Sequence, residues 1–137
     1  MTLHDLSEPL HTFAVQLSAH GFALSTDNCS DAFGDRIVVF TRSSLSIRLV
    51  RDRSQWFIEV GCEDWEDWFD SDTWKRCLLR TPISDDPPPL PEQAKFIIAH
   101  LDQIDGTLDD PGGQLRRCLN ETRASRARRR LGLGLEA

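Results

Sequence analysis

Leu45-Ser46-Ile47-Arg48-Leu49-Val50, followed by Gln55-Trp56-Phe57-Ile58-Glu59-Val60, decides the fold. In the first run Leu45, Ile47 and Leu49 alternate with Ser46, Arg48 and Val50. In the second, Trp56, Ile58 and Val60 alternate with Gln55, Phe57 and Glu59. A period of two puts each apolar set on one face of a strand. The link Asp52-Arg53-Ser54 is short and polar, which fits a hairpin, as does Arg42-Ser43-Ser44 on the upstream side. Beyond that link Ile37-Val38-Val39-Phe40 starts another strand, and Phe22 and Leu24, alternating with Ala23 and Ser25, make a short first one. Asp27 to Gly34 is rich in Asp, Asn and Ser and reads as a turn. Sequential strands joined by short links form an antiparallel meander. Polar residues on the alternate positions leave one face fully packed.

Helical periodicity flanks this sheet. Ser7 caps a helix, Glu8 and Pro9 suit its first turn, and Leu10, Phe13, Ala14 and Leu17 form its apolar stripe before Gly21. From Ser71 or Asp72 a second helix places Trp74, Cys77 and Leu78 on one face until Pro82. Asp85-Asp86-Pro87-Pro88-Pro89 is a stiff connector. Pro91 and Glu92 open a third helix, with Ala94, Ile97, Leu101 and Ile104 at three- and four-residue spacing. Asp109-Asp110-Pro111-Gly112-Gly113 marks another break. The fold expected is α+β: a four-stranded antiparallel meander with the N-terminal helix and the C-terminal helices packed on it. Helices at 7–20 and 91–105 should lie on the same side. Residues 1–110 form a single α+β domain, followed by an arginine-rich C-terminal helix or tail at 111–137.

Composition limits the function classes. The 137 residues suit one domain, and 39% hydrophobic residues supply a core. Net charge is −6, divided unevenly: residues 1–110 carry 9 basic and 20 acidic side chains, and residues 111–137 carry 7 and 2. A generally basic nucleic-acid binder is excluded. The longest apolar runs are four residues, such as Ile37 to Phe40, too short to span a bilayer. Met1 to Leu6 lacks the basic and apolar regions of a secretory signal, so the expected location is the cytoplasm.

Cys29, Cys62, Cys77 and Cys118 show no paired spacing of the kind that grips zinc. Their even number permits two disulfides, but a cytoplasmic chain favours buried, reduced thiols. His4, His11, His20 and His100 form no metal-binding helical pair, and the chain has no nucleophile elbow or phosphate-cradling glycine loop. The expectation is a protein without cofactor, metal or disulfide, and not an enzyme.

Two segments remain as carriers of function. Glu63-Asp64-Trp65-Glu66-Asp67-Trp68-Phe69-Asp70-Ser71-Asp72 holds six carboxylates, three aromatics and no basic residue. Its field attracts a basic partner, and exposed rings anchor interfaces. Glu63, Asp64, Trp65, Glu66, Asp67, Asp70 and Asp72 are the candidate partner-binding residues, with Trp68 and Phe69 read as core. A glycosidase would need two of these carboxylates at separated structural positions, which adjacency in sequence does not provide. The second segment contains Arg116, Arg117, Arg123, Arg126, Arg128, Arg129 and Arg130. It could touch phosphate, yet without lysine or stacking aromatics it makes a poor nucleic-acid module. Leu115, Cys118 and Leu119 pack its first turns, and the rest reads as a helix with a frayed end against the acidic body.

The stretch Ile47 to Val60, a charged hairpin leading into an aromatic-rich strand, resembles small immunity proteins of bacterial polymorphic toxin systems. Asp67-Trp68-Phe69, the Trp74 helix and the proline-rich entry into Pro91-Glu92-Gln93-Ala94 are similar too, so the resemblance covers roughly residues 35–105. It implies a cytoplasmic protein that binds a cognate toxin domain and blocks its active site, without catalytic residues of its own. The arginine-rich tail departs from that pattern. Two rivals fit the same residues: a type III-like secretion chaperone holding an effector segment in an apolar groove, and an acidic DNA-mimic inhibitor.

Overall fold

The computed structural model describes residues 8–30, 35–52, 55–62, 68–82, 88–107 and 113–130. In chain order these form α1 (Glu8–Ala19), β1 (Ala23–Ser30), β2 (Asp35–Arg42), β3 (Leu45–Asp52), β4 (Gln55–Cys62) and β5 (Phe69–Asp70). Four helices follow: α2 (Ser71–Leu79), α3 (Leu90–Ala99), α4 (Leu101–Thr107) and α5 (Gln114–Arg130). The strands make one antiparallel sheet in the order β1-β2-β3-β4-β5. The architecture is the expected α+β meander, with one strand more than the four expected. β5 pairs Phe69 with Val60 and Asp70 with Glu59. Two residues are too few for a period-two pattern to register, which is why the alternation does not reveal them.

β1 also extends further than expected, through Asp27 to Ser30, where the composition reads as a turn. The register shifts between Leu24 and Thr26, so that Leu24 faces Phe40 and Asp27 faces Val38. This bulge turns both Leu24 and Asp27 toward the packed face. There Arg36 donates from Nε and Nη2 to the two carboxylate oxygens of Asp27, at 2.9 and 2.6 Å. A forked ion pair of this kind lets two charged side chains stay in a strand pair with about a tenth of their surface exposed.

Val38, Phe40, Leu45, Ile47, Leu49, Ile58 and Val60 bury one face of the sheet, those of β3 and β4 in the alternation expected of them. Leu10, Phe13, Ala14 and Leu17 of α1, Trp74 of α2, Ala94 and Ile97 of α3 and Leu101 and Ile104 of α4 complete the cluster. α1 packs on α3, and α2 and α3 both rest on β4. The helix expected over 91–105 is divided at His100. Its N–H is shared between the carbonyls of Phe96 and Ile97, and its ring Nδ1 donates to the Phe96 carbonyl at 2.8 Å. That competition for one acceptor bends the helix, and the imidazole stacks on the Phe96 ring.

α5 joins the same core through Leu119, which is fully buried, and packs along α2. A disulfide links Cys77 of α2 to Cys118 of α5, with Cα atoms 5.8 Å apart. This corrects the expectation of four reduced thiols. The stacking of α2 on α5 brings together two cysteines 41 positions apart in the chain, at a distance suited to a bridge. Cys62 is a buried free thiol, as expected for that residue. Among the described residues, no helix is long and apolar enough to cross a membrane.

Candidate functional site

The acidic segment connects the end of β4 to the start of α2. Glu63, Asp64, Trp65, Glu66 and Asp67 lie outside the described residues. The segment's last five residues, Trp68 to Asp72, are placed by β5 and by the first turn of α2. Phe69 is buried in the core, edge-on to Trp74. Trp68 differs from the core reading: it is half-buried, with the Arg48 guanidinium 4.4 Å from its ring centroid. Arg48 is in turn ion-paired with Glu59, its cross-strand neighbour on β4.

Asp70 has the extended backbone of an N-cap, and its carboxylate accepts from the Thr73 N–H at 2.9 Å. Arg126, fifty-six positions later on α5, donates to both Asp70 oxygens at 2.8 and 2.7 Å and to the Thr73 hydroxyl at 3.1 Å. The Arg116 and Arg123 guanidinium carbons lie 5.9 and 5.3 Å from the Phe69 ring centroid. The arginine-rich helix thus lies against the acidic segment's end. Asp72 is half-buried, and its Oδ2 has no hydrogen-bond partner. Burial, and then the neighbouring Asp70 charge, push its carboxyl above the ordinary carboxylate range, opposed by Arg126 and Lys75. Of the seven candidate residues, the structure brings Asp70 and Asp72 together. It engages Asp70 internally, so a partner's cation competes with Arg126 for that carboxylate.

The sheet face opposite the helices carries Ile37, which is exposed, and Val39, Val50 and Phe57, which are half-buried, with Trp68 and the Arg48–Glu59 pair toward its β5 edge. Sequence reading foresaw an incompletely covered face but not the position of Trp68 beside it. The alternation of β3 and β4 was the signal for that face; the contact of Trp68 with Arg48 had none. Also unforeseen is a groove of about 630 Å³ between α1 and α3, floored by Phe13, Ala94 and Ile98 with Glu8 and Lys95 at its rim. Among the described residues, no group of three or more His, Cys, Asp or Glu side chains could hold a metal ion. Comparison with protein families, curated proteins and solved structures finds no match.

Proposed function

We propose that the protein is a cytoplasmic immunity protein that neutralises a basic toxin domain by covering its active site with the acidic 63–72 segment and the adjoining open sheet face. One observation carries this reading. The described end of the acidic segment rejoins the sheet at β5, where Trp68 lies against Arg48 on the partly exposed face that also carries Ile37, Val50 and Phe57. Carboxylates speed the encounter with a basic cleft, and partly exposed apolar side chains beside them slow dissociation. In this reading Glu63, Asp64, Trp65, Glu66 and Asp67 meet the partner directly, and Asp70 and Asp72 hold the end of the segment.

The test begins with affinity capture from the source cell and continues with the captured protein purified. A toxic enzyme activity, lost on stoichiometric addition of this chain, is the expected result. Replacing Asp64, Glu66 and Asp67 together by Asn or Gln should leave melting unchanged and slow association, most at low salt. Trp65→Ala should weaken binding by about 2 kcal/mol. Association that ignores the triple replacement at every salt concentration overturns the proposal. A second reading, a secretion chaperone, draws on the α1–α3 groove, whose apolar floor suits an extended effector segment. Ala94→Glu blocks that groove, so loss of binding in this variant alone selects the chaperone.

A further inference from the structure

The Cys77–Cys118 bridge does more than join two helices, because of what else holds α5 and how the sulfurs are reached. α5 contains seven arginines and one acidic residue in seventeen positions. Arg123 and Arg126 stand at a spacing where like charges repel along a helix. Its apolar anchorage is Leu119, fully buried, and Leu115, partly buried against the core. A helix so polar needs specific ties to stay docked. Among them are the Arg126 bonds to Asp70 and Thr73 at one end, the Arg116 and Arg123 contacts with the Phe69 ring, and the disulfide.

The bridge is also open to attack. Cys77 and Cys118 are both half-buried, and Cys118 lines two surface grooves, of about 460 and 580 Å³. Arg76 borders both grooves, with Arg126 on one and Arg80 on the other. Cationic side chains stabilise the thiolate that leaves when a disulfide is cleaved. The Thr122 hydroxyl stands 3.6 Å from Cys77 Sγ and 3.8 Å from Cys118 Sγ, within reach of either sulfur as a donor.

We propose that Cys77–Cys118 is a reducible clasp, opened by a dithiol to release α5 from α2 and uncover Phe69 and Asp70. A thiolate of the reductant attacks one sulfur, breaking the bridge and forming a mixed disulfide. The reductant's second thiolate then displaces that cysteine. Two electrons pass to the protein, Cys77 and Cys118 each end as a thiol after taking up a proton, and the dithiol becomes a disulfide. In the cytoplasm, disulfides are characteristically transient or sensing ones. Release removes Arg126 from Asp70, so reduction raises the negative charge available on the 63–72 segment. That consequence for partner binding rests on the function proposed above; the release of α5 does not.

The full-length chain, without any partner, supplies the test. Amide hydrogen exchange and limited trypsin digestion are compared with and without dithiothreitol. The expected result is at least tenfold faster exchange in α5 and new cleavage after Arg117 and Arg123 in the reduced protein, with β3 and β4 equally protected in both forms. Cys77→Ser/Cys118→Ser should behave as the reduced protein without reductant; if it fails to fold, the reduced native chain still decides the question. Equal protection of α5 in the two forms overturns the clasp, as does loss of β3 and β4 protection together with α5. Retention of the bridge in glutathione buffers until the core itself unfolds also overturns it.

Discussion

Gln93 is 3% exposed, and its amide works as a replacement for a missing length of strand. Among the described residues β5 pairs with Glu59 and Val60 alone, and Ile58 has no strand neighbour on that side of β4. Gln93 Oε1 accepts from the Ile58 N–H at 3.0 Å and from the Ser71 hydroxyl at 3.3 Å. Its Nε2 donates to the Pro88 carbonyl at 2.9 Å. Gln93→Leu keeps the shape and deletes these partners. An orphaned buried N–H costs about 1–3 kcal/mol, partly offset by the more favourable burial of leucine. The Ser71 hydroxyl can rotate, so the net loss expected is about 2 kcal/mol, a large share of the roughly 5–15 kcal/mol that holds a domain. Urea unfolding followed by tryptophan fluorescence should show a lower midpoint with an unchanged slope. Gln93→Glu sharpens the test, because it keeps the acceptor but places a second carboxylate oxygen against the Pro88 carbonyl. Its folded-state pKa should be raised, so the variant approaches native stability below the unfolded carboxylate pKa and loses it as pH rises. A native midpoint for Gln93→Leu, with a Gln93→Glu stability that ignores pH, would refute the role given to this side chain.

Asp72 has a raised folded-state pKa, so its charge opposes folding at neutral pH. Asp72→Asn should stabilise by less than about 1 kcal/mol at pH 7, and the gain should vanish below the unfolded pKa near 3.8. Hydrogen bonds from Arg36, working against burial, hold the Asp27 carboxyl below its ordinary value. Its contribution is therefore fully present above pH 3.8 and lost as pH falls through the lowered folded-state value. Asp27→Asn should cost about 2–3 kcal/mol at pH 7, with a deficit that narrows in acid, as denaturant midpoints measured across pH would show. Thr122→Val removes the hydroxyl beside both sulfurs. The rate of reduction by dithiothreitol should fall roughly threefold, since the departing thiolate loses one hydrogen-bond donor.

The meander and its packed face were legible in the sequence, because strand periodicity is local. Every second residue from Leu45 to Leu49 and from Trp56 to Val60 is apolar, and short polar links leave little choice of partner. The α1 stripe was legible for the same reason, with Leu10, Phe13, Ala14 and Leu17 at spacings that only a helix brings to one side. β5 and the full length of β1 were not, since two residues make no pattern and Asp27 is held in the strand by the Arg36 side chain reaching it from β2. The acidic segment stood out by composition, but the environment of its last residues was a tertiary matter. Arg126 reaches Asp70 across 56 positions, and Arg48 reaches Trp68 across the sheet. Cys77 and Cys118 carry no spacing signal, because their pairing follows from how α5 lies on α2. Periodicity reports the face an element buries. Which charges and thiols then meet depends on the packing of elements distant in the chain, and that was decided only by the tertiary structure.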